Sequence, residues 1–62
     1  MEGRLLDIDQ AAEVLSIHAG TLYRWARAKR VPCIRMGARV IRFDPRELQR
    51  FIERSTVEVR QA

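Results

Sequence analysis

Between Arg24 and Arg42 the chain carries seven cations, Arg24, Arg27, Lys29, Arg30, Arg35, Arg39 and Arg42, and no carboxylate. The flanks differ: residues 1–13 set Arg4 against Glu2, Asp7, Asp9 and Glu13, a net −3, and residues 44–62 balance four arginines with four acids. The overall charge of +4 is thus a central block of +7 beside an acidic start. Arginines crowded on a compact chain repel one another unless something neutralises them, so the chemistry this block offers is capture of a fixed polyanion.

Bond-making chemistry has much less to work with. Cys33 is the single cysteine and His18 the single histidine. That pair excludes an internal disulfide and provides no ligand set for a structural zinc. Cys33 reads as a small, half-buried thiol on a strand; as a nucleophile served by His18 it would need a substrate pocket that no part of the chain suggests. We therefore expect no metal, no cofactor and no enzymatic activity.

The elements that must position the cations follow from spacing. Asp7 with Gln10 three residues on is a capping-box pattern, and Ala11, Ala12, Val14 and Leu15 give an apolar side, predicting a first helix from Ile8 to Leu15. The run "SIHAG" interrupts it, with His18 as an improvised cap, and helical spacing resumes in "TLYRWARAK". There Leu22, Trp25 and Ala26 share one side, Gly20, Arg24 and Arg27 lie nearly opposite, and Tyr23 stands on the flank. Tyr23 either covers the core edge or donates its hydroxyl to an anion. Pro32 stops this helix.

"CIRM" and "VIRF", joined around "GAR", form a hairpin signal with Gly37 at the reversal and Arg39 near the tip. Alternation predicts Ile34, Met36, Ile41 and Phe43 on one face and Arg35, Val40 and Arg42 on the other. In "FDPRELQRFI", Asp44 is the N-cap, Pro45 the first helical residue and Glu47 the partner in a second capping box, with Leu48, Phe51 and Ile52 as the buried stripe. The expected fold class is mostly α with a small β-hairpin wing, in the order α-α-β-β-α.

Sixty-two residues hold one core, here expected from Trp25, Phe43, Phe51 and the leucines. The opening methionine and the lack of an apolar export or membrane segment read as one small, complete cytosolic domain. We place that domain at residues 1–55 and a flexible tail at residues 56–62.

Helix, turn, helix, wing and capped closing helix is the order of a winged helix-turn-helix. From Leu5 to Ile52 the chain also resembles the excisionase-like branch of the mercury-resistance regulator (MerR) superfamily. The motifs that carry the likeness are the apolar-acidic first helix, "TLYRW", the "R-V-P" exit, the "R-x-G-x-R" wing and the "D-P-R-E-L-Q-R-F" third helix. The resemblance implies that the "TLYRW" helix enters the major groove of double-stranded DNA while the wing reaches an adjacent minor groove or its phosphates. Contacts would then come from Ala19, Gly20, Thr21, Tyr23, Arg24 and Arg27 on the helix. Lys29 and Arg30 at its exit and Arg35, Gly37, Arg39 and Arg42 on the wing would add to them.

The chain departs from the pattern at three places: His18 stands where Ser or Thr is usual, Ala19 and Gly20 replace longer polar groups, and Lys29 replaces a frequent glycine. Ala19 and Gly20 leave little direct base reading, so specificity should lean on Tyr23, Arg24 and DNA deformability.

Arg46, Arg50 and Arg54 recur at i, i+4 and i+8 on the third helix. Pairing with Glu47 and Glu53 answers their repulsion; alternatively they meet Asp9 and Glu13 of a neighbouring copy, head to tail. The expected function is that of a phage or mobile-element excisionase. Such a protein binds tandem sites cooperatively, bends DNA and directs an integrase, with no small-molecule effector. A stand-alone transcriptional regulator of the same fold is the alternative, and a protein-interaction module a third reading.

Overall fold

The computed structural model describes residues 4–59 of the chain; Arg60 and the end of the expected tail lie outside them. Its elements are α1 (Ile8–Leu15), α2 (Ala19–Arg27), β1 (Ile34–Arg35), β2 (Ile41–Arg42) and α3 (Pro45–Ser55). This is the expected order, and the fold is a winged helix-turn-helix with a two-stranded wing.

Both arms of the first capping box form: the Asp7 carboxylate accepts from the Gln10 N–H at 2.8 Å, and the Gln10 side-chain oxygen accepts from the Asp7 N–H at 3.0 Å. Helices α1 and α2 end in the same way. At the end of α1, Ser16 takes a left-handed conformation (φ 58°), and the Ile17 N–H reaches back to the Ala12 carbonyl at 3.0 Å. At the end of α2, Lys29 does so (φ 59°), and the Arg30 N–H reaches the Trp25 carbonyl at 2.9 Å. These are Schellman closures, in which the left-handed position favours glycine. Glycine at position 29, which the family resemblance leads one to expect, would meet this left-handed backbone without strain.

The wing corrects the expected face assignment. Its register opposes Ile34 to Arg42 and Arg35 to Ile41, and the Met36 N–H donates to Val40 at 2.8 Å, closing a three-residue loop. Directly opposed residues of an antiparallel pair share a face. A loop of two or four residues would have opposed Ile34 to Ile41; the odd length shifts the register by one and turns β1 over relative to β2. Ile41 and Phe43 are accordingly buried, at 6% and 0% exposure, while Ile34 (38%) and Met36 (57%) face out.

A second pairing was not foreseen. Leu6 and Phe43 exchange backbone hydrogen bonds, each at 2.8 Å, pinning the N-terminal segment to the base of the wing. A one-residue bridge leaves no alternating pattern by which it could be read.

Asp44 caps α3 by accepting from the Arg46 N–H at 2.9 Å. The second capping box does not close, because the Glu47 carboxylate takes a hydrogen bond from Arg50 instead (2.6 Å). The core centres on Phe43, Leu22 and Leu48, completed by Ala11, Ala12, Ala26, Val31 and Ile41. Trp25 and Phe51 are only partly buried, since with Leu15, Ile17 and Ile52 they line an open apolar groove. Helix α1 packs against both α2 and α3, which fixes the direction in which α2 presents its other side.

Candidate nucleic-acid interface

Burial of Leu22 and Ala26 rotates the opposite side of α2 outward, so that Tyr23, Arg24 and Arg27 are exposed and Thr21 is half-buried beside them. The Arg24 guanidinium donates to the Thr21 hydroxyl at 3.3 Å. The Arg27 guanidinium donates to the Tyr23 hydroxyl at 3.3 Å and stands 5.8 Å from the centre of that ring. Tyr23 therefore neither seals the core nor points freely into solvent, but braces a cation.

Gly20 lies between these pairs on the exposed side. A methyl group added there would meet only the tip of Arg24, at 3.9 Å. The protein's own packing does not require glycine at this position. Ala19, by contrast, is half-buried against the core. His18 occupies the N-cap position of α2 but its side chain makes no cap hydrogen bond, leaving the first N–H groups of the helix without a side-chain partner.

The remaining cations divide. Lys29, Arg35 and Arg39 are exposed, while Arg42 is half-buried and donates to the Ile41 carbonyl at 2.9 Å. Gly37 is half-buried at the start of the hairpin loop. Arg30 lies over the face of Trp25, 5.5 Å from its centre, rather than beside Arg24 and Arg27. Nothing in the spacing signals this turn, which follows from the left-handed Lys29 just before it.

Away from this surface, Asp9, Glu13, Arg46, Arg50 and Arg54 are all exposed. Arg50 pairs with Glu47 at 2.6 Å and Arg46 approaches Asp44 at 3.7 Å, the only ion pairs among the described residues. None of the seven central cations is paired with a carboxylate among the described residues. Arg24 and Arg27 are thus exposed on α2, Arg35 and Arg39 on the wing, and Lys29 and Arg30 in the segment between them, while Arg42 is half-buried.

Residues 5–56 match the model of a helix-turn-helix domain family, covering most of the chain. The chain belongs to the helix-turn-helix domain family. It is also similar to the transcriptional repressor DcmR of Methylorubrum extorquens (strain DSM 6343 / CIP 106787 / DM4). The two are 40% identical over 52 residues, 82% of this chain and 20% of the repressor. This helix-turn-helix chain thus spans about a fifth of the relative it matches. No solved structure matches it at a comparable level. No helix among the described residues is long and apolar enough to cross a membrane.

Proposed function

We propose that the protein binds double-stranded DNA with α2 in the major groove and the wing over a neighbouring minor groove or its phosphates, and that it controls the DNA it binds without performing chemistry on it. The observation that carries this reading is the uncompensated basic surface of α2 and wing on a helix-turn-helix frame. A helix about 10–12 Å across fits a B-form major groove about 12 Å wide, and Arg39 at the hairpin tip suits a narrow minor groove. In this reading the protein works on DNA in the cytoplasm of a prokaryotic host, which the likeness to a repressor of Methylorubrum extorquens supports.

Two roles use this geometry. The likeness to a transcriptional repressor supports a regulator that occupies one site. The absence of long polar side chains at Ala19 and Gly20 supports the excisionase role, in which several copies bind tandem sites, bend the DNA and assist an integrase. Head-to-tail contact between Arg46, Arg50 and Arg54 of one copy and Asp9 and Glu13 of the next would supply the cooperativity.

A gel-shift titration on circularly permuted duplexes, drawn from the DNA flanking the coding gene, separates the two roles. A ladder of cooperative complexes whose mobility depends on site position supports the excisionase. A single unbent complex supports the regulator, and no shift at low salt refutes duplex binding altogether.

A further inference from the structure

Two apolar features of the chain find no partner inside it. One is the groove between the end of α1 and the last turns of α3. Leu15, Ile17, Trp25, Phe51 and Ile52 line it, no charged side chain does, and its volume of about 360 Å³ is far more than two three-carbon side chains need. The other is the segment after α3. Val57 and Val59 are 88% and 92% exposed, more than any other large apolar side chain among the described residues.

The chain's own valines do not enter its groove. Thr56, which also lines the groove, leaves α3 extended (φ −73°, ψ 126°), and its hydroxyl is tied to the Ile52 carbonyl at 2.8 Å. Turning back from there takes a four-residue reversal, and Thr56–Val59 contains no Gly, Pro, Asn or Asp to make one; the turn would also use up both valines. Kept extended, the segment sets Val57 and Val59 on one face, about 7 Å apart, and Thr56 and Glu58 on the other.

We propose that the groove receives Val57 and Val59 of a second copy of this chain, and that the exchange is reciprocal. Val59 lies three residues beyond Thr56, at most about 11 Å of extended chain. A second copy's valines therefore reach this groove only when that copy's own Thr56, and the groove that Thr56 lines, stand within the same distance. The first copy's valines then reach that groove in turn, which makes a two-fold contact that closes on itself. Two valines and a shallow groove from each copy fall well short of the about 20–30 residues a side of a stable interface, so the pairing is weak and depends on concentration. It uses none of the exposed arginines of α2 and the wing, and so goes beyond the duplex-binding reading.

Trp25 is the single tryptophan and reports directly on the groove. The test follows the full chain, without DNA, by sedimentation equilibrium and by Trp25 emission from micromolar to millimolar concentration. The parent should pass from monomer to dimer while the emission shifts to the blue along the same curve. The double variant Val57→Thr, Val59→Thr keeps the size and charge of both side chains but makes their face polar. It should melt at the parent's temperature, since both positions are exposed, and dimerise at least tenfold more weakly.

In a mixture of labelled and unlabelled parent chains, isotope-filtered NMR should show the valine methyls of one copy against the Trp25 ring of the other. Parent-like pairing in the double variant would overturn the proposal, as another surface would then join the copies. Emission that is blue-shifted at every concentration and moves to the red in the variant would put the chain's own segment in the groove. A parent that stays monomeric to millimolar concentration would leave the groove to a different protein. Either result also overturns it.

Discussion

At the scale of single residues, the arginines carry the account and their charge can be counted. Arg24→Ala on the helix and Arg39→Ala on the wing should each weaken duplex binding on any sequence and flatten the dependence of log affinity on log salt by about one phosphate equivalent. Unchanged slopes in a salt-varied titration would place the interface elsewhere. Which residues were cationic, and that Leu22 and Ala26 would turn them outward, was legible from spacing alone. Where each guanidinium goes was not, because that depends on partners chosen in three dimensions: Thr21 for Arg24, Tyr23 for Arg27 and the Trp25 ring for Arg30. Lys29 was legible as an oddity, and its cause is the left-handed backbone it must hold. Lys29→Gly should therefore stabilise the fold by about 1 kcal/mol, as measured by urea unfolding, although it removes a cation from the basic surface.

At the scale of elements, local signals foretold what local forces decide. The bounds of α1 follow from the Asp7–Gln10 box, and the start of α3 follows from Asp44 and Pro45. The α2 start is the weak one, since His18 contributes no side-chain hydrogen bond there. His18→Ser should supply it and raise stability by about 1 kcal/mol in the same unfolding measurement; no gain would show that the site is already satisfied by water. The wing shows the opposite limit. Its strands were visible, but their faces depended on whether the loop holds an even or an odd number of residues, and glycine near a turn does not specify that. Likewise Glu47 had two partners within reach, Asp44 N–H and Arg50, and the ion pair prevailed over the capping box.

At the scale of the whole molecule, a core of three large side chains and five smaller ones supports everything else. Phe43 is its keystone: it is fully buried, and its backbone also ties Leu6 to the wing. Phe43→Ala should cost about 3–5 kcal/mol, comparable to all that so small a core provides, and the variant should lack a cooperative melting transition by circular dichroism. A retained transition would mean that the core collapses around the gap. The contrast between an acidic start and a basic centre was plain in the sequence, and the fold brings Arg24 and Arg27 of α2 and Arg35 and Arg39 of the wing to its exposed surface. That surface is the central claim, and an NMR titration of the isotopically labelled protein with a short DNA duplex tests it most directly. We predict salt-sensitive amide shifts clustered at residues 19–27 and 35–42, with α3 little affected. Shifts centred instead on the groove of Leu15, Trp25 and Phe51, or no shifts at low salt, would contradict it.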